Sequence, residues 1–338
     1  VFEALVRVYG SGYDGYGRWR SFSGDPRPVF TMICALTAVS LACFITESVV
    51  LGYVPLLLRG VPHAYSEFHL TGIHYFTVSC VLVPSLTVLY IHMRNGRGSE
   101  KLLIASLVMA GISLLIPILC VSRFQLVFAV LLAAFTYISL QKLFHPGWLL
   151  GLFVVLLPFY LILTVARSHN IEYLNGIFEM KNASMPIFVS QPYIYIANNY
   201  DNFNFLVGAL PGHSFGLKGL FPLWALSGLK FFFPQLINFP IYVDKTELTT
   251  LTLFYDSYYD FGWIGVLLFS CILGAIAYIL VVKLREMRNP LGYLLYAQFA
   301  AYLMLSFFTT WFSNTTTWFY LILTGIMALF YHLRASRW

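Results

Sequence analysis

Three arginines interrupt an apolar chain at positions where a guanidinium is costly to keep. Arg123 stands between two long apolar runs in ILCVSRFQLVFAV, Arg167 closes another in VARSHN, and Arg59 sits in LLLRGVPHAYSEFH. A charged side chain at the centre of a bilayer costs about 2.5–3.5 kcal/mol on insertion scales. The guanidinium grips phosphate oxygens in a planar fork and stays charged at every working pH. A pair or trio of such groups beside one leaflet suits a lipid-linked phosphate or diphosphate. The plainer account of each is an arginine at a helix end that reaches up to lipid headgroups.

Proton-handling groups form a second set. In TLFYDSYYDFGWIGVLL, Asp256 and Asp260 are one helical turn apart. With His169 and His213 they are candidates for taking the proton of an attacking hydroxyl. The plainer account of Asp260 is a first-turn carboxylate favoured by the helix dipole. Gly262 and Gly265 in the same segment permit close backbone approach. Tyr193, Tyr195, Asn198 and Tyr200, in YIYIANNYDNF, set aromatic faces beside amides. Carbohydrate grooves have this pattern, and so do plain interfacial helices. Metal chemistry is not expected: His69 and His74 are five apart and share no helix face, and HExxH does not occur. The five cysteines all fall inside apolar runs and read as free thiols.

The elements that must position these groups are membrane helices. Charged residues make up 10% of the 338, against about 25% in a soluble domain, and mean hydropathy is +0.77. Such a chain cannot cover a water-facing surface, so the expected fold is an all-α, polytopic integral membrane protein. Spans of about 20 apolar residues are expected at 29–51, 73–93, 102–121, 124–140, 148–166, 259–282, 291–311 and 318–331, eight in all. With the N-terminus inside, thirteen of the twenty Lys and Arg fall on inner segments and seven outside, four of those deep in one long loop. The positive-inside rule supports that orientation, and a net charge of +6 then reflects cytoplasmic loops rather than nucleic-acid binding. Residues 1–27 read as a cytoplasmic segment without a signal peptide. Residues 28–338 read as a single membrane domain, with 167–258 as a large outer loop or cap. A connection of that length is usually functional. Within it, MPIFVSQPYIYIANNY and SFGLKGLFPLWALSGLKFFFP are apolar but broken by Pro192, Pro222, Lys218 and Lys230. We read them as interfacial or re-entrant helices. The alternative is that both span, which leaves the downstream orientation unchanged.

Four stretches together resemble the bacterial O-antigen polymerases, the Wzy-type oligosaccharide repeat-unit polymerases. They are GYVPLLLRGVPHAYSEF after an early span, the SRF turn at Ser122–Phe124, the aromatic-asparagine stretch YIYIANNYDNF, and YDSYYDFGWIGVLL leading into the next span. The resemblance implies a membrane-embedded glycosyltransferase of the bacterial inner membrane, with its active site on the periplasmic face and no cofactor or metal. Donor and acceptor would both be glycans on undecaprenyl diphosphate, and the growing chain would pass en bloc to the incoming unit. Arg123 and Arg167, with Arg59 as a third, would hold the donor diphosphate. Asp256, Asp260, His169 and His213 would be the candidates for acceptor activation. Membrane lipids and a chain-length regulator are the implied partners. The family's larger helix count implies that helices precede this chain. Rival readings are an O-antigen ligase-like transferase to lipid A core, a transporter or flippase of lipid-linked sugars, and an inactive assembly subunit. A transporter would be expected to show internal repeats and mid-span ionisable groups. The sequence offers only Glu47, near a span's end.

Overall fold

The structure is a computed structural model. It describes residues 24–58, 67–96, 98–140, 171–284 and 288–335, with isolated positions at 147, 150, 151 and 154. The described residues form helices and no strand. In chain order they are α1 (Arg27–Leu51), α2 (Ile73–Arg94), α3 (Glu100–Leu119), α4 (Arg123–Leu140), α5 (Ile171–Ile177), α6 (Ile187–Ala209), α7 (Phe221–Leu226), α8 (Tyr255–Leu284), α9 (Leu291–Met304) and α10 (Thr315–Ala335). Among these residues six helices are long and apolar enough to cross a membrane: α1, α2, α3, α4, α8 and α10.

Six of the eight expected spans therefore coincide with a membrane-length helix. The span expected at 148–166 lies almost wholly outside the described residues. The span expected at 291–311 is shorter than its apolar run: α9 stops at Met304 after 14 residues, about 21 Å of helix. The reason lies in distant segments. The Ser306 carbonyl accepts the Leu253 N–H (2.8 Å) and the Phe307 carbonyl accepts Asn199 Nδ2 (2.5 Å). The chain thus turns to offer these oxygens to other segments instead of to its own helix.

The chain packs as two compact units. One comprises residues 14–168, 283–301 and 322–338, the other 1–13, 169–282 and 302–321. The first unit contains the packed helices α1–α4. Its helices meet through small polar residues, as membrane helices do when close approach replaces hydrophobic drive. Ser40 donates to the Phe76 carbonyl (2.9 Å) and shares a hydrogen bond with Ser79 (3.2 Å). Pro84 leaves α2 one N–H short, and the ladder tightens into a 3-10 turn at Ser79–Leu82 just before it. In the same unit Gln298 on α9 donates to Thr324 on α10 (2.6 Å).

The second unit contains α5–α7, α8 as far as Val282 and residues 302–321. Its longest loop helix, α6, is inverted. The buried face is polar, with Ser190, Gln191, Asn198, Asn199 and Asn202, whereas Phe188, Val189, Tyr193, Ile196, Tyr200, Phe205 and Val207 are exposed. The other apolar stretch of the loop contains no helix longer than α7, six residues, followed by 3-10 turns. It does not cross a membrane as a helix.

Candidate functional site

In the first unit, Arg123 is the first residue of α4 and only 6% exposed. The turn that delivers it is tight. The Val121 N–H bonds the Ile118 carbonyl (3.0 Å) and the Ser122 N–H reaches back to the Pro117 carbonyl (2.8 Å). This is the Schellman pattern that ends helices, in which glycine usually takes the left-handed position. Here Val121 takes it, at φ 53°. A β-branched residue there is strained, and its packing with Leu126, Leu56, Leu114 and Ile118 holds it in place. The Ser122 carbonyl then accepts the first bond of α4 from the Leu126 N–H (3.2 Å). Arg123 thus lies where the amides and dipole of an 18-residue helix favour an anion.

A buried carboxylate lies at the same end of this unit. Glu47, one turn from the end of α1, is fully buried. It accepts the Leu70 N–H (2.9 Å), the Thr77 hydroxyl (2.7 Å) and His74 Nδ1 (3.0 and 3.2 Å to its two oxygens). The His69 ring stands edge-on to that of His74, with centroids 6.3 Å apart. The Arg123 turn lies beside this end of α1: Leu56, five residues beyond it, packs against Val121 and Leu126. Sequence reading used Glu47 only to weigh transport and did not join it to His74.

In the second unit, the two aspartates at the start of α8 take different roles. Asp260 accepts the Ser214 hydroxyl, the Lys218 N–H (3.2 Å) and the Gly219 N–H (2.8 Å), while its backbone carbonyl accepts the Phe215 N–H (3.1 Å). It latches the loop 214–219 rather than capping its own helix. The helix breaks directly after it, at Phe261 and Gly262, and Gly262 holds φ 62°, ψ −148°. Asp256 is 5% exposed, and its Oδ1 makes no hydrogen bond among the described residues. Lys218 Nζ stands 3.7 Å from that oxygen and 4.6 Å above the Tyr259 ring. The hydroxyls of Ser313 and Thr310 face the same carboxylate. His213 is exposed, with Nδ1 3.2 Å from the Tyr259 carbonyl. That contact assigns the proton to Nδ1 and leaves Nε2 to accept one.

Lys218 is the residue that sequence reading counted as an outer charge without giving it chemistry. Its only signal is a lone lysine in the apolar run SFGLKGLFPLW. Of the aromatic-amide set, Tyr193 and Tyr200 are 59% and 61% exposed. Tyr195 accepts from Gln191 (3.1 Å) and stacks edge-on against Phe308. Asn198 is buried and donates to the Leu248 carbonyl (3.0 Å), so its amide holds the chain at 248. Arg59, Arg167 and His169 lie outside the described residues. No group of three or more His, Cys, Asp or Glu positioned to hold a metal occurs among the described residues.

Six membrane-length helices make this a multi-pass α-helical membrane protein. Comparison of the chain with protein-family models, with curated proteins and with solved structures finds no match.

Proposed function

We propose that the chain is a membrane-embedded glycosyltransferase that polymerises lipid-linked oligosaccharide repeat units at the outer face of the bacterial inner membrane. The observation that carries this reading is Arg123, a buried guanidinium on the N-terminus of a membrane helix behind a strained turn. A fork of fixed donors beside a helix N-terminus suits the diphosphate of an undecaprenyl-linked donor, and it stabilises the negative charge that grows as that group leaves. Arg167 and Arg59 are assigned to the same diphosphate on the resemblance alone. Lys218 and Asp256 offer a partly desolvated charged pair for sugar hydroxyls, with His213 and His169 as further acceptor contacts. Asp260 acts through the loop it latches. Tyr193 and Tyr200 on α6 meet either glycan or lipid. Acceptor and donor glycans, membrane lipids and a chain-length regulator complete the partners.

The test is glycan length on a gel from cells lacking the native gene, complemented with wild type or variants and checked for membrane levels. Arg123→Ala is expected to leave single repeats where wild type gives a ladder, a loss of about a hundredfold or more. Arg123→Lys is expected to be nearly as poor, because a point charge does not replace a planar fork. A full ladder from Arg123→Ala would return Arg123 to a structural role and end the diphosphate assignment.

Glu47 favours a second reading. A buried ionisable group in a span, paired with a histidine, is also a feature of transporters of lipid-linked sugars. A transporter would leave lipid-linked single repeats on the cytoplasmic face when deleted, whereas a polymerase leaves them outside.

A further inference from the structure

We propose that Glu47 and His74 form a proton-accepting dyad, with His74 Nε2 taking the proton of the acceptor sugar's attacking hydroxyl. This rests on the transferase reading and adds to it a base that neither composition nor spacing suggests. Four features carry it.

The Glu47 carboxylate is held by two donors besides the histidine, the Thr77 hydroxyl (2.7 Å) and the Leu70 N–H (2.9 Å). It cannot rotate away without leaving both unpaired. An ionised carboxylate only accepts, so the contact at 3.0 Å fixes the proton on His74 Nδ1 and leaves Nε2 with its lone pair. Glu47 is completely shielded while the His74 side chain is 30% exposed, so the imidazole is the accessible member of the pair. Finally, the pair lies at the end of the unit that also carries the Arg123 turn. Leu56, just beyond the end of α1, packs against Val121 and Leu126 of that turn.

In the step this implies, the acceptor hydroxyl oxygen bonds to the anomeric carbon of the donor. The bond from that carbon to the diphosphate oxygen breaks, and the electron pair leaves with the diphosphate. The hydroxyl proton moves to His74 Nε2, and the imidazolium so formed is stabilised by Glu47 until the proton passes to the departing diphosphate or to water. Carboxylate-oriented imidazoles serve as general bases in this way on unrelated folds.

A purely architectural role, in which Glu47 ties α1 to α2, predicts something different. In His74→Asn the amide donates to Glu47 as Nδ1 does, but nothing replaces Nε2. The dyad predicts that His74→Asn reaches the membrane at wild-type level and yields only single repeats. The architectural role predicts a normal ladder, and that result would overturn the proposal. A second measurement needs no polymer. In purified wild-type protein, carbethoxylation of His74 at pH 8 is expected to be severalfold faster than in Glu47→Gln, and faster than that of the neighbouring, exposed His69. Equal rates would equally overturn the dyad. If wild type itself makes no ladder, the transferase reading fails, while the labelling rates still decide whether Glu47 activates His74. If Arg123→Ala loses the ladder and His74→Asn keeps it, the transferase stands without this base, and Asp256→Asn becomes the variant to make.

Discussion

At the residue scale, the charged groups of this chain divide by how many of their contacts are committed. Asp260 has three accepted hydrogen bonds on its carboxylate, all from loop 214–219. Asp256 has a buried oxygen, Oδ1, with no hydrogen bond among the described residues, opposite Lys218 at 3.7 Å. The two should therefore respond differently to amide substitution. Asp260→Asn puts an NH2 group against backbone N–H donors and leaves one unpaired, at about 1–3 kcal/mol. The loop should open, and limited proteolysis between 214 and 220 should speed up. In Asp256→Asn the latch is untouched, so the cleavage pattern should match wild type while polymer yield falls. Equal protease sensitivity in the two variants would refute this division of labour. The sequence made Arg123 conspicuous, because one guanidinium among apolar residues is anomalous by itself. It could not make Glu47–His74 conspicuous, because 27 residues separate the two and only the packing of α1 on α2 joins them.

At the element scale, six of the eight expected spans coincide with a helix of membrane length, while the amides of the outer loop serve the packing of that loop. Asn198 and Asn202 are one turn apart, as a ligand-binding face would have them. Their amides instead hold the irregular segment before α8: Asn198 and Asn202 both donate to the Leu248 carbonyl, and Asn202 also to that of Thr250 (2.9 Å). Helix existence and the apolar runs were legible because they are local. The early end of α9 and the break in α8 were not, because distant groups impose them. The glycines at that break set a measurable cost. A Cβ on Gly262 would stand 3.1 Å from His213 Nε2, in a backbone conformation essentially reserved for glycine. A Cβ on Gly265 would lie 2.1 Å from the Ser257 carbonyl oxygen, a backbone atom that cannot step aside. Gly262→Ala should cost about 1–3 kcal/mol, and Gly265→Ala more. Both should lower the melting temperature of the detergent-solubilised protein, in that order. An unchanged melting temperature in Gly265→Ala would mean that the helix does not fold back on itself there.

At the scale of the whole molecule, the burial pattern and the charge pattern can be set against each other. Soluble packing places polar residues outward, but α6 has Asn198, Asn199 and Asn202 inside and Phe188, Tyr193, Tyr200 and Phe205 outside, and α8 exposes Trp263, Ile264, Leu267, Leu268 and Ile272. The uncharged face of α8 belongs against lipid, whereas α6 carries Asp201 among its exposed residues. The charge rule independently predicts the loop between α2 and α3 inside and the segment between α6 and α8 outside. Single cysteines at Glu100 and Phe215, in a chain with its five native cysteines replaced, test both at once. Phe215 is 76% exposed, and its substitution leaves the Asp260 latch intact because only its backbone takes part. An impermeant maleimide added to intact spheroplasts should label 215 and reach 100 only after lysis. Labelling at 100 from outside would invert the orientation. It would put the Arg123 turn and the Glu47–His74 pair on the cytoplasmic side, where a flipped lipid-linked donor does not reside, and the transferase reading would fall with it. Labelling of neither position before lysis would instead mean that loop 214–219 is sheltered by the membrane, as the apolar faces of α6 and α8 on either side of it permit.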